Sequence, residues 1–302
     1  MKIALIGQSA FGKAVLEALI DREEHDIVGV FAAPDGRRRR EPLATAAEAM
    51  DIPVWQFKRM RDQECIDVFR SLDADLCVMA YVTDIVPNEI INAPSRGTIQ
   101  YHPSLLPLHR GPSSINWAII HGDTETGLSI FWPDEGLDTG SILMQKRVEI
   151  GPDDSVGSLY FNHLFPMGVE ALVESVDLVA TGNAPHIVQD ENNATYEGWC
   201  GSKEAQVDWS NDADSVHNLI RGCDPQPGAW TTLSDEKVSL FGSTKASSND
   251  TNVDPGTILE IDGTGMTVST DGGSVKVKRV RVGRGPKSPT HESSLSVGDR
   301  FS

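Results

Sequence analysis

No apolar run in the sequence approaches the roughly 20 residues that a membrane-spanning helix requires, so a soluble chain with no membrane partner is expected. Cysteine is scarce. Cys65, Cys77, Cys200 and Cys223 are scattered without CxxC spacing, which points to neither a zinc site nor a disulfide framework and fits a reducing cytoplasm. Positive charge is in deficit: 26 lysines and arginines face 44 acidic residues, a net charge of −18 at pH 7. Such a balance repels phosphate at long range and disfavours non-specific binding to nucleic acid. Internal repeats are absent. The apolar start, "MKIALIGQSAFG", is interrupted by Gly7 and Gly12 and has no small-residue cleavage site after it, so it reads as a first β-strand rather than a signal peptide.

What is present is alternation. The 302 residues imply two domains, and 39% hydrophobic content is that of a globular protein. "KIALIG" (2–7), "DIVGVFAA" (26–33), "IPVWQF" (52–57) and "ADLCVMA" (74–80) are strand-like. Helical patterns, "AFGKAVLEALI", "LATAAEAM" and "CIDVFRSL", lie between them. This spacing predicts right-handed βαβ units, hence an α/β class with a Rossmann-like, mostly parallel sheet and helices on both faces. The glycines of "GQSAFG" lack both the dinucleotide fingerprint and the Lys-Ser/Thr of a P-loop, and read as a structural turn.

Farther along, "TGLSIFW" (126–132) and "SILMQKRVEI" (141–150) are strands joined by "PDEGLDTG", a loop longer than a hairpin needs and therefore one with a task. Residues 155–182 read as a long helix that Pro166 should bend or interrupt. The polar "QDENNATYEGWCGSKEA" reads as an interdomain linker, dividing a first domain (1–200) from a second (201–302). In the second, a helix ("ADSVHNLIRG") precedes short strands with Gly and Asp turns, the pattern of a small, OB-like β-barrel. Within "SVKVKRVRV" the valines change parity, which predicts a β-bulge near Lys278–Arg279. Two stretches run against the overall charge, Arg37, Arg38, Arg39 and Arg40, and "KVKRVRVGRGPK" (276–287). Both read first as a solvated loop and a solvated strand face.

The informative segment is "GTIQYHPSLLP" (97–107). A strand ends there and delivers His102 into a loop, and the carboxyl ends of strands are where ligands sit in open α/β sheets. Pro103 and Pro107 restrict the chain that follows, so His102 is held. A second candidate, Asp138, stands in the overlong loop within "GLDTG". An imidazole beside a carboxylate can do general acid–base work.

These residues carry a resemblance. "HPSLLPLHRGPSSINWAIIHGD", followed by "GLSIFWPDEGLDTG", resembles the formyltransferase family that uses 10-formyltetrahydrofolate. The likeness is greatest to the amino-terminal hydrolase domain of 10-formyltetrahydrofolate dehydrogenase, and the sequence is also similar to methionyl-tRNA formyltransferase. It runs from "MKIALIGQSAFG" through "ATYEG" to "IRGCDPQPGAW". The resemblance implies that His102 and Asp138 are the catalytic pair. It implies a pterin site walled by Ala80, Tyr81 and Ile85 on one side and by the backbone of Asp134, Glu135 and Gly136 on the other. The formyl donor would be the only cofactor-like molecule, with no metal and no NAD(P), because the longer enzyme's other domains are not seen. Arg37–Arg40 occupy the loop that methionyl-tRNA formyltransferases set against the acceptor stem. A tRNA partner is nonetheless disfavoured by the net charge and the short loop.

One position departs from the pattern. Where formyltransferases have Asn-x-His and the hydrolase domain usually has an apolar residue, this sequence has Gln100-Tyr101-His102. Glutamine keeps an amide that could stabilise an oxyanion but carries it on a longer arm, and losing such a donor costs on the order of 10²–10³ in rate. Three readings follow, in order: a 10-formyltetrahydrofolate hydrolase releasing formate; a formyltransferase acting on methionyl-tRNA or a small amine; and a folate-binding protein without catalysis, which Gln100 permits and the intact His102 and Asp138 oppose.

Overall fold

A computed structural model describes residues 1–37, 39–246 and 253–302. Arg38 lies outside the described residues. The chain gathers into two compact units, one built from Met1–Arg110, Gly127–Arg147 and His163–Tyr196, the other from Gly111–Thr126, Val148–Asn162 and Glu197–Ser302. Its first elements in order are β1 (Lys2–Gly7), α1 (Ser9–Asp21), β2 (Asp26–Ala32), α2 (Pro42–Ala49), β3 (Val54–Trp55), α3 (Gln63–Ser71), β4 (Leu76–Ala80), α4 (Asn88–Ile91) and β5 (Thr98–His102). They are followed by α5 (Ser114–Ile120), β6 (Glu125–Phe131), β7 (Ile142–Glu149), α6 (Val156–Leu159), α7 (Phe165–Ala180) and α8 (Ala213–Gly222).

Strands of the first unit form one sheet in the order β3-β2-β1-β4-β5-β6-β7. The β1–β2, β1–β4, β2–β3 and β4–β5 pairs are parallel, and β6 runs antiparallel to β5. The sheet is therefore mostly parallel, and it is covered on both faces for a reason visible in strand parity. Ile3, Leu5, Val78 and Ile99 pack with Val15, Leu19, Leu43 and Val176 of α1, α2 and α7, whereas Ala4, Ile6, Cys77 and Met79 pack with Ile66, Phe69 and Ile90 of α3 and α4. The strand order reverses between β1 and β4, which makes the carboxyl ends of those two strands the switch point where α/β folds hold ligands. β3 is shorter than its six-residue apolar pattern, because as an edge strand it pairs with β2 at Val30–Val54 and Phe31–Trp55 only.

At the switch point the two strand ends nearly touch. A Cβ added to Gly7 would lie 2.6 Å from the Ala80 carbonyl oxygen. The Glu41 carboxylate accepts a hydrogen bond from the Ser9 N–H at the start of α1, so a protein anion already sits where a phosphate would be held. "GQSAFG" is a packing turn.

Helical spacing over 155–182 is realised in pieces. α6 gives way to a π-helical turn at Tyr160–Leu164, which leads directly into α7 with Pro166 as its second residue, so the irregular turn directly precedes the proline.

The second unit carries an antiparallel, OB-like sheet made of β8 (Ala229–Leu233), β9 (Glu236–Ala246), β10 (Ile258–Asp262), β11 (Gly265–Thr270), β12 (Gly273–Val282) and β13 (Ser288–Pro289), in the order β10-β11-β12-β9-β8 with β13 on β12. Its core takes Val216 and Ile220 of α8 against Val238, Leu240, Val268, Val277 and Val280. The bulge expected near Lys278–Arg279 is not formed. Partners on β9 descend in step on either side of Lys278, from Val277 opposite Ser243 to Arg279 opposite Phe241, so no residue is inserted. Val277 and Val280 are both buried because the strand pair is distorted in place beside Gly242, whose φ of +66° only glycine adopts readily.

Gly7→Ala should lower the stability of the first unit by about 1–3 kcal/mol, the range for overpacking a fitted site. A urea midpoint indistinguishable from that of the parent would show that the approach of Gly7 to Ala80 does not constrain the sheet.

Candidate active site

β5 is paired on both edges, with Met79 of β4 level with Gln100 and Ser129 of β6 opposite His102. The strand ends on His102 itself, one residue later than its apolar pattern, so the imidazole is anchored in the sheet rather than in the following loop. Alternation puts Gln100 and His102 on the same face. After Pro103 the chain folds back on itself. The Ser104 hydroxyl donates to the Leu108 carbonyl (2.6 Å), the Leu106 N–H donates to Ser129 Oγ (3.0 Å), and Ser129 Oγ donates to the Ser104 carbonyl (2.7 Å). Gln145 Nε2 from β7 donates to the Leu106 carbonyl at 2.9 Å.

This fold-back brings the His109 carbonyl to within 2.8 Å of His102 Nε2. His109 has a φ of +54°, a left-handed conformation that the surrounding bonds must hold. A carbonyl can only accept, so Nε2 carries a proton and donates it. Nδ1 is thereby left facing the Asp138 carboxylate, 3.6 Å from Oδ2. Both side chains are about nine-tenths buried (8% exposed each). The separation exceeds a direct hydrogen bond.

The glycines around Asp138 explain its loop. A Cβ on Gly136 would stand 2.0 Å from Thr139 Oγ1, and one on Gly140 would stand 1.7 Å from the Trp132 carbonyl oxygen. Asp134 Oδ1 accepts from the Gly136 N–H (3.0 Å) and from Thr139 Oγ1 (2.5 Å), closing the turn from inside. Asp138 takes a φ of +57° at its apex, a conformation that aspartate tolerates better than most residues.

The other expected residues are distributed more openly. Ala80 is buried at the end of β4; Tyr81 follows with a φ of +60° and stands 46% exposed, and Ile85 is 79% exposed. Asp134, Glu135 and Gly136 are exposed. Gln100 is half-buried, and its amide makes no hydrogen bond among the described residues. In the arginine loop, Arg37 and Arg39 are exposed, while Arg40 is engaged by both oxygens of Glu48 at 2.8 and 2.9 Å.

Sequence reasoning missed a buried polar frame behind the pair. The polar stretch beginning at Gln189 is not a linker until Tyr196; its first residues belong to the first unit and are tied to the site. Ile187 exchanges backbone hydrogen bonds with Ile142 at 2.8 and 2.9 Å. Gln189, 5% exposed, donates through Nε2 to the Asp138 and Gly140 carbonyls at 2.9 and 2.7 Å. Its Oε1 accepts from Arg110 Nε (3.1 Å) and Nη2 (2.8 Å). Arg110 is fully buried and also donates to both oxygens of Glu191, at 2.9 and 2.6 Å, and to the Tyr196 hydroxyl. Thr195 completes the frame: its Oγ1 accepts from the His109 N–H (2.8 Å) and its carbonyl from the Arg110 N–H (3.0 Å). The available signal was an arginine inside "LHRGP" and acceptors inside "QDENNATYEG".

Charge in this frame is mutually supporting. The Arg110 guanidinium, hydrogen-bonded to Glu191, holds that carboxyl below the usual carboxylate range. The hydrogen bonds Arg110 donates to Glu191, then to Tyr196, raise its value, although burial by itself lowers it.

Residues 1–176 match the family described as formyl transferase, and residues 201–293 match the formyl transferase C-terminal domain. The chain is 46% identical over 268 residues to the mitochondrial 10-formyltetrahydrofolate dehydrogenase of Homo sapiens, a match that takes in 87% of this chain and 29% of that protein. The chain thus spans less than a third of that dehydrogenase. It is 34% identical over 312 residues to the methionyl-tRNA formyltransferase of Clostridioides difficile (strain 630), covering 99% of this chain and 100% of the other. Among solved structures, HypX from Aquifex aeolicus in complex with tetrahydrofolic acid shares the fold, with a TM-score of 0.68, 18% identity, 96% of this chain covered and 46% of that one.

The depressed Glu191 carboxyl carries a pH prediction. Because its folded value lies below the ordinary carboxylate value of about 4.3, the stabilisation it gives is complete above that value and is lost as pH falls through the folded one. Urea midpoints of the parent and Glu191→Gln should differ at neutral pH, and the difference should shrink as pH falls from neutral to below the ordinary carboxylate value. A constant difference across that range would contradict the assignment.

Proposed function

Because the chain belongs to the formyl transferase family, we propose that it acts on 10-formyltetrahydrofolate and hydrolyses it to formate and tetrahydrofolate, a reaction of one-carbon metabolism. The observation that carries this reading is the buried pair, His102 Nδ1 facing Asp138 Oδ2 at 3.6 Å with the opposite ring nitrogen committed to the His109 carbonyl. Hydrolysis of a formamide at N10 needs a proton taken from water, a donor to the oxyanion, and a proton returned to the leaving nitrogen. Asp138 takes the water proton as the water oxygen bonds to the formyl carbon. His102, protonated at Nδ1, donates to the developing oxyanion while Nε2 keeps its bond to the carbonyl. The tetrahedral adduct then breaks its C–N10 bond, N10 takes up the proton held by Asp138, and formic acid leaves, losing its remaining proton to water as formate.

The pterin lies against Ala80, Tyr81 and Ile85 at the switch point and against the backbone of Asp134, Glu135 and Gly136. Exposed apolar surface at Tyr81 and Ile85 supports this, since a flat aromatic ring would cover it. Residues 1–200 form the catalytic and folate-binding domain and residues 201–302 the auxiliary one, in a cytoplasmic enzyme that needs no metal or NAD(P). Water is preferred as acceptor because of the 46% identity to a 10-formyltetrahydrofolate dehydrogenase and because asparagine is missing before His102.

A second reading, transfer to an amine, is favoured by Gln100. Its amide shares a face with His102 and makes no bond to the described protein, so it is free to serve as an oxyanion donor. The full-length likeness to a methionyl-tRNA formyltransferase supports the same alternative, with exposed Arg37 and Arg39 near any acceptor arm.

Incubating the protein with 10-formyltetrahydrofolate, alone and with methionyl-tRNA or a small amine, separates the readings. Formate without an amine supports hydrolysis, and formylated amine without formate overturns it. His102→Ala and Asp138→Asn should each remove most turnover, with folate affinity largely kept and the double variant little worse than the worse single. Near-normal turnover in either single variant would show the pair to be misassigned.

Gln100→Leu should leave formate release within a fewfold of the parent if water reacts without the amide. A fall of about 10²–10³ would make Gln100 the oxyanion donor and remove the feature that separates this site from a transferase.

A further inference from the structure

We propose that Gln189 is the positioning residue of this site, a side-chain clamp that sets the distance between His102 and Asp138. The inference rests on the folate reading for its kinetic consequence only.

The orientation of the Gln189 amide is fixed by its neighbours. Two carbonyls, of Asp138 and Gly140, can only accept, and the Arg110 guanidinium can only donate. Nε2 must therefore face the carbonyls and Oε1 the guanidinium, as observed; a flipped amide would set donor against donor and acceptor against acceptor. All four of its hydrogen-bonding positions are used, in a place 5% exposed. The two ends of one short side chain thus hold two different segments.

The first segment is the loop that carries Asp138. The bonds go to the carbonyl of Asp138 itself and to that of Gly140, the two residues flanking Thr139, so they fix the peptide planes on which the carboxylate is carried. The second is the fold-back after β5. Arg110 is adjacent to His109, whose carbonyl holds His102 Nε2 at 2.8 Å, and the Arg110 N–H is itself bonded to the Thr195 carbonyl. Moving Arg110 moves that carbonyl, and with it the plane of the imidazole. Gln189 consequently belongs to neither half of the pair and restrains both. Its own backbone is steadied two residues away, where Ile187 pairs with Ile142.

Neither test substitution supplies both halves of this clamp. Gln189→Glu keeps an acceptor for Arg110 but cannot donate to the carbonyls, and it places a negative charge against their oxygens. Gln189→Met keeps the shape and loses both sets of bonds.

Ring-¹⁵N spectra of His102 at one neutral pH, assigned by loss of the signal in His102→Gln, read the pair without any substrate. The Nδ1 resonance in Gln189→Glu and Gln189→Met should move from the parent position toward that of Asp138→Asn, with the far-ultraviolet spectrum preserved. In formate release, both variants should lose about 10- to 100-fold in kcat, the penalty of misplacing a reacting group by about an ångström, with KM for the folate within about twofold. Should Gln189→Met fail to fold, Gln189→Glu, which keeps a partner for Arg110, decides alone. An unmoved Nδ1 resonance overturns the proposal, whether or not turnover falls, because the pair would then keep its geometry without the Gln189 bonds. A moved resonance in a protein whose parent does not process 10-formyltetrahydrofolate upholds the clamp and overturns the functional reading instead.

Discussion

The site depends on one hydrogen bond, from His102 Nε2 to the carbonyl of His109. A neutral histidine has one donor and one acceptor nitrogen, and without that bond either could face Asp138. With it, Nε2 is a donor in either charge state of the ring, the ring's plane is fixed, and Nδ1 faces the Asp138 carboxylate. The bond exists because "HPSLLPLHR" folds back tightly enough for a residue seven positions on to present its carbonyl, in a backbone conformation with positive φ. Much of the buried polar structure nearby serves that conformation: Ser104 and Ser129 close the fold-back from within, and Thr195 holds the His109 N–H from outside.

The fold supplies the anchor points and little of the precision. A doubly covered parallel sheet ends β5 on His102, and a reversal of strand order opens a crevice beside β4. Because β6 is antiparallel to β5, its carboxyl end lies level with Gln100, and the following loop must turn back to bring Asp138 to the imidazole. That return consumes the residues that made the loop too long for a hairpin. Its glycines permit approaches to Thr139 and Trp132 that a side chain would block.

How much was legible in the sequence follows from the range of the interactions involved. Strand and helix periodicities are local, and the mostly parallel sheet could be read from them, as could α8, which occupies the residues its pattern marked. His102 and Asp138 were legible because each stands in a distinctive local setting, between prolines and between glycines. Their separation of 3.6 Å was not, since it results from a strand reversal and two loops. The polar frame was misread for a similar reason. Gln189, Glu191 and Thr195 lie in a segment whose composition is that of a linker, and their partners His109, Arg110 and Asp138 are 51 to 86 residues away. Burial of an arginine by pairing at that range leaves no periodic trace. The valine phase change in β12 was seen correctly as an irregularity, but whether it inserts a residue depends on the partner strand, and Gly242 absorbs it there.

The most direct test of the account is a crystal structure with an unreactive analogue of 10-formyltetrahydrofolate bound. The account predicts the formyl carbon within about 4 Å of both His102 Nδ1 and Asp138 Oδ2, close to the separation of reacting atoms in a near-attack arrangement, with Nε2 still on the His109 carbonyl. A formyl group more than about 8 Å from the pair, or an imidazole turned so that Nε2 faces it, would contradict the assignment of these two residues to the chemistry.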